Sequence, residues 1–177
     1  GYYHLSKALA EKKLIEIATE AGVPLLVLRP TIMYGGYDQG FLWKLLKISR
    51  RFFLLLSDNL KVHLLDVRTM VDVIDTCLLN SPRSDIFIVA DRKPVKLKDL
   101  LSSLNSELSG IKSITLPSKL VQMMEPLTSP LKKYANATLL CKSWYYNVNK
   151  LKSKLNVKLG DTINGVKRYL WWYMRAW

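Results

Sequence analysis

Tyr3 and Lys7 stand four residues apart in the segment Tyr3-His4-Leu5-Ser6-Lys7-Ala8-Leu9-Ala10-Glu11. On a helix that spacing is about one turn, so the phenol and the ammonium share a face within mutual reach. An ammonium held beside a phenol favours the phenolate. A phenol poised in this way can give a proton to a substrate hydroxyl or carbonyl and take it back. Only Tyr3 has the four-residue offset from Lys7, which leaves Tyr2 to packing or to lining a substrate. Taken alone, the pair is also what any aromatic and lysine sharing a helical turn would give. His63, the second of two histidines, reads as a strand histidine making a hydrogen bond. With His4 as its only companion it offers no metal site.

The elements around these residues follow from hydrophobic periodicity. Tyr3 to Ala21 reads as a helix, with Tyr3, Lys7, Ala10, Leu14, Ile17, Ala18 and Ala21 on one stripe. Gly22 suits the position just past a helix end, and Pro24 prevents continuation. Leu25-Leu26-Val27-Leu28 has the continuous apolar character of a strand buried on both faces of a parallel sheet. Arg29-Pro30 ends it, and Tyr34-Gly35-Gly36-Tyr37-Asp38 is rich in turn formers. A helix is expected over 41–49, a strand or apolar extension over 52–56, and a strand over 62–67. Thr69-x-x-Asp72 has the form of a capping box for a helix running to about Leu79. A strand over 85–90 and a helix over 96–108 come next. Residues 117–135 read as a kinked or divided helical segment because of Pro126 and Pro130. The stretch over 145–155 reads as an extended piece leading into a short helix, and an aromatic-rich helix starts near Thr162.

Composition narrows the function classes. The 177 residues carry 27 Lys+Arg against 14 Asp+Glu, a formal net charge of +13. The excess is concentrated in residues 101–177, with 12 basic and 3 acidic side chains. Such a balance admits a polyanion partner (nucleic acid, an acidic membrane surface or a phosphorylated substrate) or a solvated lysine-rich surface. No nucleic-acid motif accompanies it, so no nucleic-acid partner is expected. No apolar run is long enough for a transmembrane segment. Cys77 and Cys141 lack metal spacing and read as isolated reduced thiols, which suggests a cytoplasmic setting.

Tyr3-x-x-Ser6-Lys7-x-x-x-Glu11, a helix, a strand, Arg29-Pro30 and Tyr34-Gly35 together resemble the middle of an extended short-chain dehydrogenase/reductase. That group includes the NAD-dependent epimerases and dehydratases. Val62-His63-Leu64-Leu65-Asp66-Val67, Ile86 to Val89, Pro94-Val95-Lys96-Leu97, Tyr146-Asn147-Val148-Asn149-Lys150 and Gly165-Val166-Lys167 follow in the order of that family. The similarity spans essentially the whole chain. It starts midway through the pattern, so the Gly-rich cofactor turn would precede residue 1.

The resemblance implies an α/β fold: the C-terminal part of a Rossmann-type doubly wound parallel sheet plus a small, mostly helical substrate-binding portion. Residues 1–110 would complete the dinucleotide-binding domain with interleaved substrate-domain segments, and 111–177 would form the helical remainder. It implies hydride transfer between nicotinamide and a secondary alcohol or carbonyl carbon, with NAD or NADP as cofactor. Tyr3 would be the general acid/base, and Lys7 would stabilise its phenolate and bind the nicotinamide ribose. Pro30, Thr31 and Ile32 would lie beside the nicotinamide amide, while Tyr34 and His63 would face substrate. Where nucleotide-sugar relatives carry an Arg, this chain has Val62 beside Lys61. That departure weakens a nucleotide-sugar substrate relative to an alicyclic alcohol or ketone. A homodimer through the Tyr3 helix is expected. The competing expectation is an inactive relative that serves as a scaffold.

Overall fold

The computed structural model describes residues 2–80, 83–124 and 142–176. Eight strands form four pairs among these residues, and three of the pairs are parallel. β1 (Leu26–Pro30) lies parallel to β6 (Asp85–Val89), and β2 (Ile32–Tyr34) lies parallel to β5 (Leu64–Asp66). The first two pairs are stitched end to end. The Thr31 amide donates to the Val89 carbonyl and the Asp91 amide to the Leu64 carbonyl. β3 (Leu54–Ser57) is parallel to β8 (Ser113–Leu116), and β4 (Lys61–Val62) is antiparallel to β7 (Val95–Lys96). Parallel strands need crossovers, and here α2 (Phe41–Arg51) and α3 (Val67–Asn80) are two of the helices between them.

Helix α1 (Tyr2–Glu20) ends as its sequence requires. Gly22 adopts φ +65°, the Gly22 amide donates to the Thr19 carbonyl, and the Val23 amide donates to the Ala18 carbonyl. These two bonds satisfy carbonyls that the last turn would otherwise leave unpaired. The stripe of Tyr3, Lys7, Ala10, Leu14, Ile17 and Ala18 lies on this helix, and no residue of α1 is buried. Among the described residues its side-chain tie to the sheet is the Arg29–Glu11 ion pair, in which Arg29 Nε donates to Glu11 Oε2 at 2.9 Å.

The core forms two clusters. One gathers Leu42, Leu46, Leu56, Leu64, Leu100, Leu104 and Tyr173 between α2, α4 (Leu97–Leu108) and the C-terminal aromatics. The other packs Leu65, Val73, Phe87 and Val89 against Leu151 and Leu155 of α6 (Asn149–Leu155). Each fully buried leucine contributes roughly 1.5–3 kcal/mol by leaving water. α5 (Ser118–Met124) follows β8, and α7 (Thr162–Arg168), α8 (Leu170–Tyr173) and a 3-10 turn (Met174–Ala176) close the chain.

Several boundaries differ from the sequence expectation for identifiable reasons. The run over 62–67 is two strands rather than one, because His63 breaks register between an antiparallel and a parallel partner. The capping box at Thr69 is not used. α3 starts two residues earlier, and Asp66 caps it by accepting the Arg68 amide at 2.9 Å, while Thr69 is buried inside the first turn. β2, β7 and β8 have no counterpart in the sequence reading. They are short, and β2 runs into the glycines that dominate the local signal. The terminal helix is broken at Tyr169, and the 125–135 part of the kinked helical segment lies outside the described residues.

Candidate active site

The single turn between Tyr3 and Lys7 does what its spacing predicts. Lys7 Nζ sits over the Tyr3 ring, 5.6 Å from its centroid, on one face of α1. The Tyr3 ring also meets His4 edge-on at 5.5 Å. Ser6 spends its hydroxyl on the Tyr3 carbonyl at 2.8 Å, so it serves the helix. Tyr3 is 68% exposed.

Pro30, Thr31 and Ile32 occupy the junction where β1 passes into β2. The Thr31 amide is held by Val89, but Thr31 Oγ1 is buried without a hydrogen-bond partner. A buried hydroxyl left unpaired carries a desolvation cost of about 1–3 kcal/mol, so it marks a position suited to an additional polar group.

Tyr34 and His63, expected against substrate, are both 1% exposed and are occupied inside the fold. The Tyr34 hydroxyl donates to Asp91 Oδ2 at 2.8 Å. Burial first, and then the charge of Asp91, hold the Tyr34 phenol far above its ordinary range, so it stays a hydrogen-bond donor. His63 Nδ1 accepts the Tyr146 amide at 3.1 Å, which leaves Nε2 to carry the proton and donate to the Asp91 carbonyl at 2.8 Å. The physical reason in both cases is position. Each sits on a strand flank that faces the protein interior, where its polar atom must find an internal partner.

Two buried carboxylates organise this region. Asp91 accepts from Tyr34, from Thr162 Oγ1 at 2.7 Å and from the Asp66 amide at 3.0 Å. Burial lifts its carboxyl above the usual range, against these hydrogen bonds. Asp66 accepts from the Tyr169 hydroxyl at 2.8 Å and from Arg168 Nη1 at 3.3 Å, besides capping α3. A Cβ at Gly165 would stand 2.1 Å from the Tyr34 hydroxyl, so this close approach of α7 needs glycine. Sequence reasoning passed over both carboxylates. The available signal was an acid directly after an apolar strand run, Leu64-Leu65-Asp66 and Val89-Ala90-Asp91.

Beside this network lies an open cleft of about 580 Å³, lined by Arg68, Arg92, Lys158, Asn164 and Arg168 as well as Asp66, Asp72 and Asp161. It shares no residue with the Tyr3–Lys7 pair. Nearby, the loop after β2 is held by the C-terminal aromatics. Trp172 Nε1 donates to the Asp38 carbonyl at 2.8 Å, and Tyr37, at φ +68°, packs edge-on against Trp171. Among the described residues no group of His, Cys, Asp and Glu could hold a metal ion, and no helix is long and apolar enough to cross a membrane. Cys77 is free and buried, and burial raises its thiol; Cys141 lies outside the described residues.

No family model matches the chain. Over 108 residues it is 31% identical to UDP-glucose 4-epimerase of Vibrio cholerae, a match covering 58% of this chain and 32% of that protein. The structure of RMD from Pseudomonas aeruginosa complexed with NADPH superposes with a TM-score of 0.67 at 16% identity, covering 99% of this chain and 55% of that one. UDP-glucuronic acid 4-epimerase from Bacillus cereus, in complex with NAD, gives a TM-score of 0.66 at 11% identity, with 96% and 51% covered. The chain thus spans about half the length of these solved structures, and its match a third of the curated relative. The parallel pairing and crossover helices agree with those folds. The chain is similar in sequence to UDP-glucose 4-epimerase over those 108 residues and carries the Rossmann-type α/β fold of these NADPH- and NAD-bound structures.

Proposed function

We propose that this chain supplies the proton-transfer half of an NAD(P)-dependent epimerase-type enzyme acting at a secondary alcohol or carbonyl carbon of a nucleotide sugar. The observation that carries this reading is the placement of Lys7 Nζ over the Tyr3 ring on one face of α1. Tyr3 is the general acid/base, exchanging its phenolic proton with the substrate oxygen. Lys7 offers donors to a ribose hydroxyl. Pro30, Thr31 and Ile32 form the wall for a nicotinamide amide, and the unpartnered Thr31 hydroxyl fits a polar group arriving there. NAD or NADP, when bound, supplies the hydride acceptor and donor. The nucleotide-sugar assignment draws on the 4-epimerases that the chain resembles, against an alicyclic alcohol or ketone.

The exposed apolar side chains of α1, among them Leu5, Leu9 and Leu14, further suit this helix to pairing with a second copy. Light scattering on wild type and on a Leu9→Glu variant checks that pairing, and a monomeric wild type overturns it.

In the full-length protein, Tyr3→Phe should lower turnover on the order of 10²–10⁴-fold with folding intact. Turnover close to wild type in that variant removes Tyr3 from the mechanism. Activity restricted to alicyclic alcohols would keep the chemistry and replace the substrate class.

A further inference from the structure

The basic excess noted in the sequence has one clean expression on the surface. Residues 41–57 and 109–124 contain Lys44, Lys47, Arg50, Arg51, Lys112 and Lys119, and no aspartate or glutamate. The fold joins these two segments. β3 and β8 pair side by side, the Leu54 amide donates to the Lys112 carbonyl, and the Lys112 amide donates to the Ser49 carbonyl at the end of α2. On α2, Lys44, Lys47, Ile48 and Arg51 recur at the three- and four-residue spacing of a single helical face, opposite the buried Leu42, Leu45 and Leu46.

Apolar groups stand among these cations. Leu54 and Leu56 face the core, which turns Phe53 and Leu55 outward. Leu55 is in register with Ile114, and both are exposed. Phe52 and Phe53 are 67% and 63% exposed. Leu120 and Lys119 on α5 extend the same surface, and Ser57 meets Ser118 through their hydroxyls at 2.8 Å. Asp58, directly after β3, accepts the Ser118 hydroxyl at 2.5 Å. Exposed aromatic and aliphatic groups interleaved with lysine and arginine, with no acid within these two segments, match the headgroup region of an anionic bilayer. The cations meet lipid phosphates while the apolar side chains enter the acyl boundary.

We infer that the face built from the end of α2, Phe52 and Phe53, and the outer side of β3 and β8 is a docking surface for an anionic lipid bilayer. The protein would rest on the membrane, since no described helix crosses one. This inference is independent of the Tyr3–Lys7 chemistry.

The test uses the full-length protein, sedimented with vesicles of phosphatidylcholine alone and of phosphatidylcholine mixed with phosphatidylglycerol. Partition onto the anionic vesicles alone is expected, weakening with salt. Removing two charges with Arg51→Gln and Lys112→Gln should lower the partition coefficient on the order of 25-fold, about fivefold for each charge. Phe53→Ser should weaken it further, with unchanged circular dichroism. If a variant fails to fold, the wild-type comparison of the two vesicle types decides. Equal partition onto both vesicle types, or onto neither, overturns the inference. So does binding to a DNA or RNA oligonucleotide without vesicle binding, or a wild-type dimer that Phe53→Ser dissociates.

Discussion

The Tyr34 hydroxyl donates to Asp91 Oδ2 at 2.8 Å across 57 residues of sequence, and it does so directly beneath Gly165. This contact ties the end of β2 to the segment after β6 and to α7, because Thr162 donates to the same carboxylate oxygen. Tyr34→Phe should therefore cost about 1–3 kcal/mol by leaving a buried carboxylate short of one donor. Gly165→Ala should cost a similar amount by overpacking the hydroxyl. In the double variant the phenol oxygen is gone, so the combined cost should fall short of the sum. Urea unfolding of the four proteins measures this. Simple additivity would show that the close approach is relieved in some other way.

His63 lends itself to separating fold from substrate binding. His63→Leu leaves the Tyr146 amide and the Asp91 carbonyl unpaired and should lower stability by about 1–3 kcal/mol. KM for substrate should stay at its wild-type value. A raised KM at unchanged stability would return this residue to the substrate site.

Thr31→Val offers the converse. Removing a buried hydroxyl that lacks a partner should leave stability unchanged or slightly higher. NAD(P) affinity in the full-length protein should drop about 5–30-fold, the effect of one lost hydrogen bond on the order of 1–2 kcal/mol. Titration calorimetry and thermal melts read the two effects separately.

Asp85 is bonded by Lys150, and by Lys154 at 2.7 Å. These hydrogen bonds hold its carboxyl well below the ordinary carboxylate range. Its contribution to stability is thus present above the unfolded-state value of about 4 and is lost as pH falls. Asp85→Asn should melt earlier than wild type at neutral pH, and the gap should narrow as the solution is acidified. Asp91 runs the other way. Its carboxyl titrates above the ordinary value, so its contribution is full below about pH 4 and declines as pH climbs through the raised value. Melting temperatures across the acid range, with Asp91→Asn as the second variant, distinguish the two signs.

The long periodic elements were legible before any coordinates. α1, α2, α3, α4 and the β1 and β6 strands lie where apolar spacing puts them, because each buries or offers a continuous face. Gly22 marked its helix end because a left-handed residue is needed there. The short strands β2 and β8 were not legible, since three or four residues carry too little pattern to separate them from a loop. The cap of α3 was misread because Thr69 and Asp72 mimic the local motif, while the carboxylate that serves is the last residue of the preceding strand. In the candidate site, the proximity of Tyr3 and Lys7 follows from a local spacing. The Asp66–Asp91 network depends on contacts between distant segments, and no local pattern records those.

The tether between Trp172 and Asp38 reaches over 134 residues. The loop following β2 therefore owes its shape to the last few residues of the chain, with Tyr37 and Trp171 acting as a latch upon it. Replacing Trp171 and Trp172 by alanine would loosen a stretch that synthesis completes much earlier.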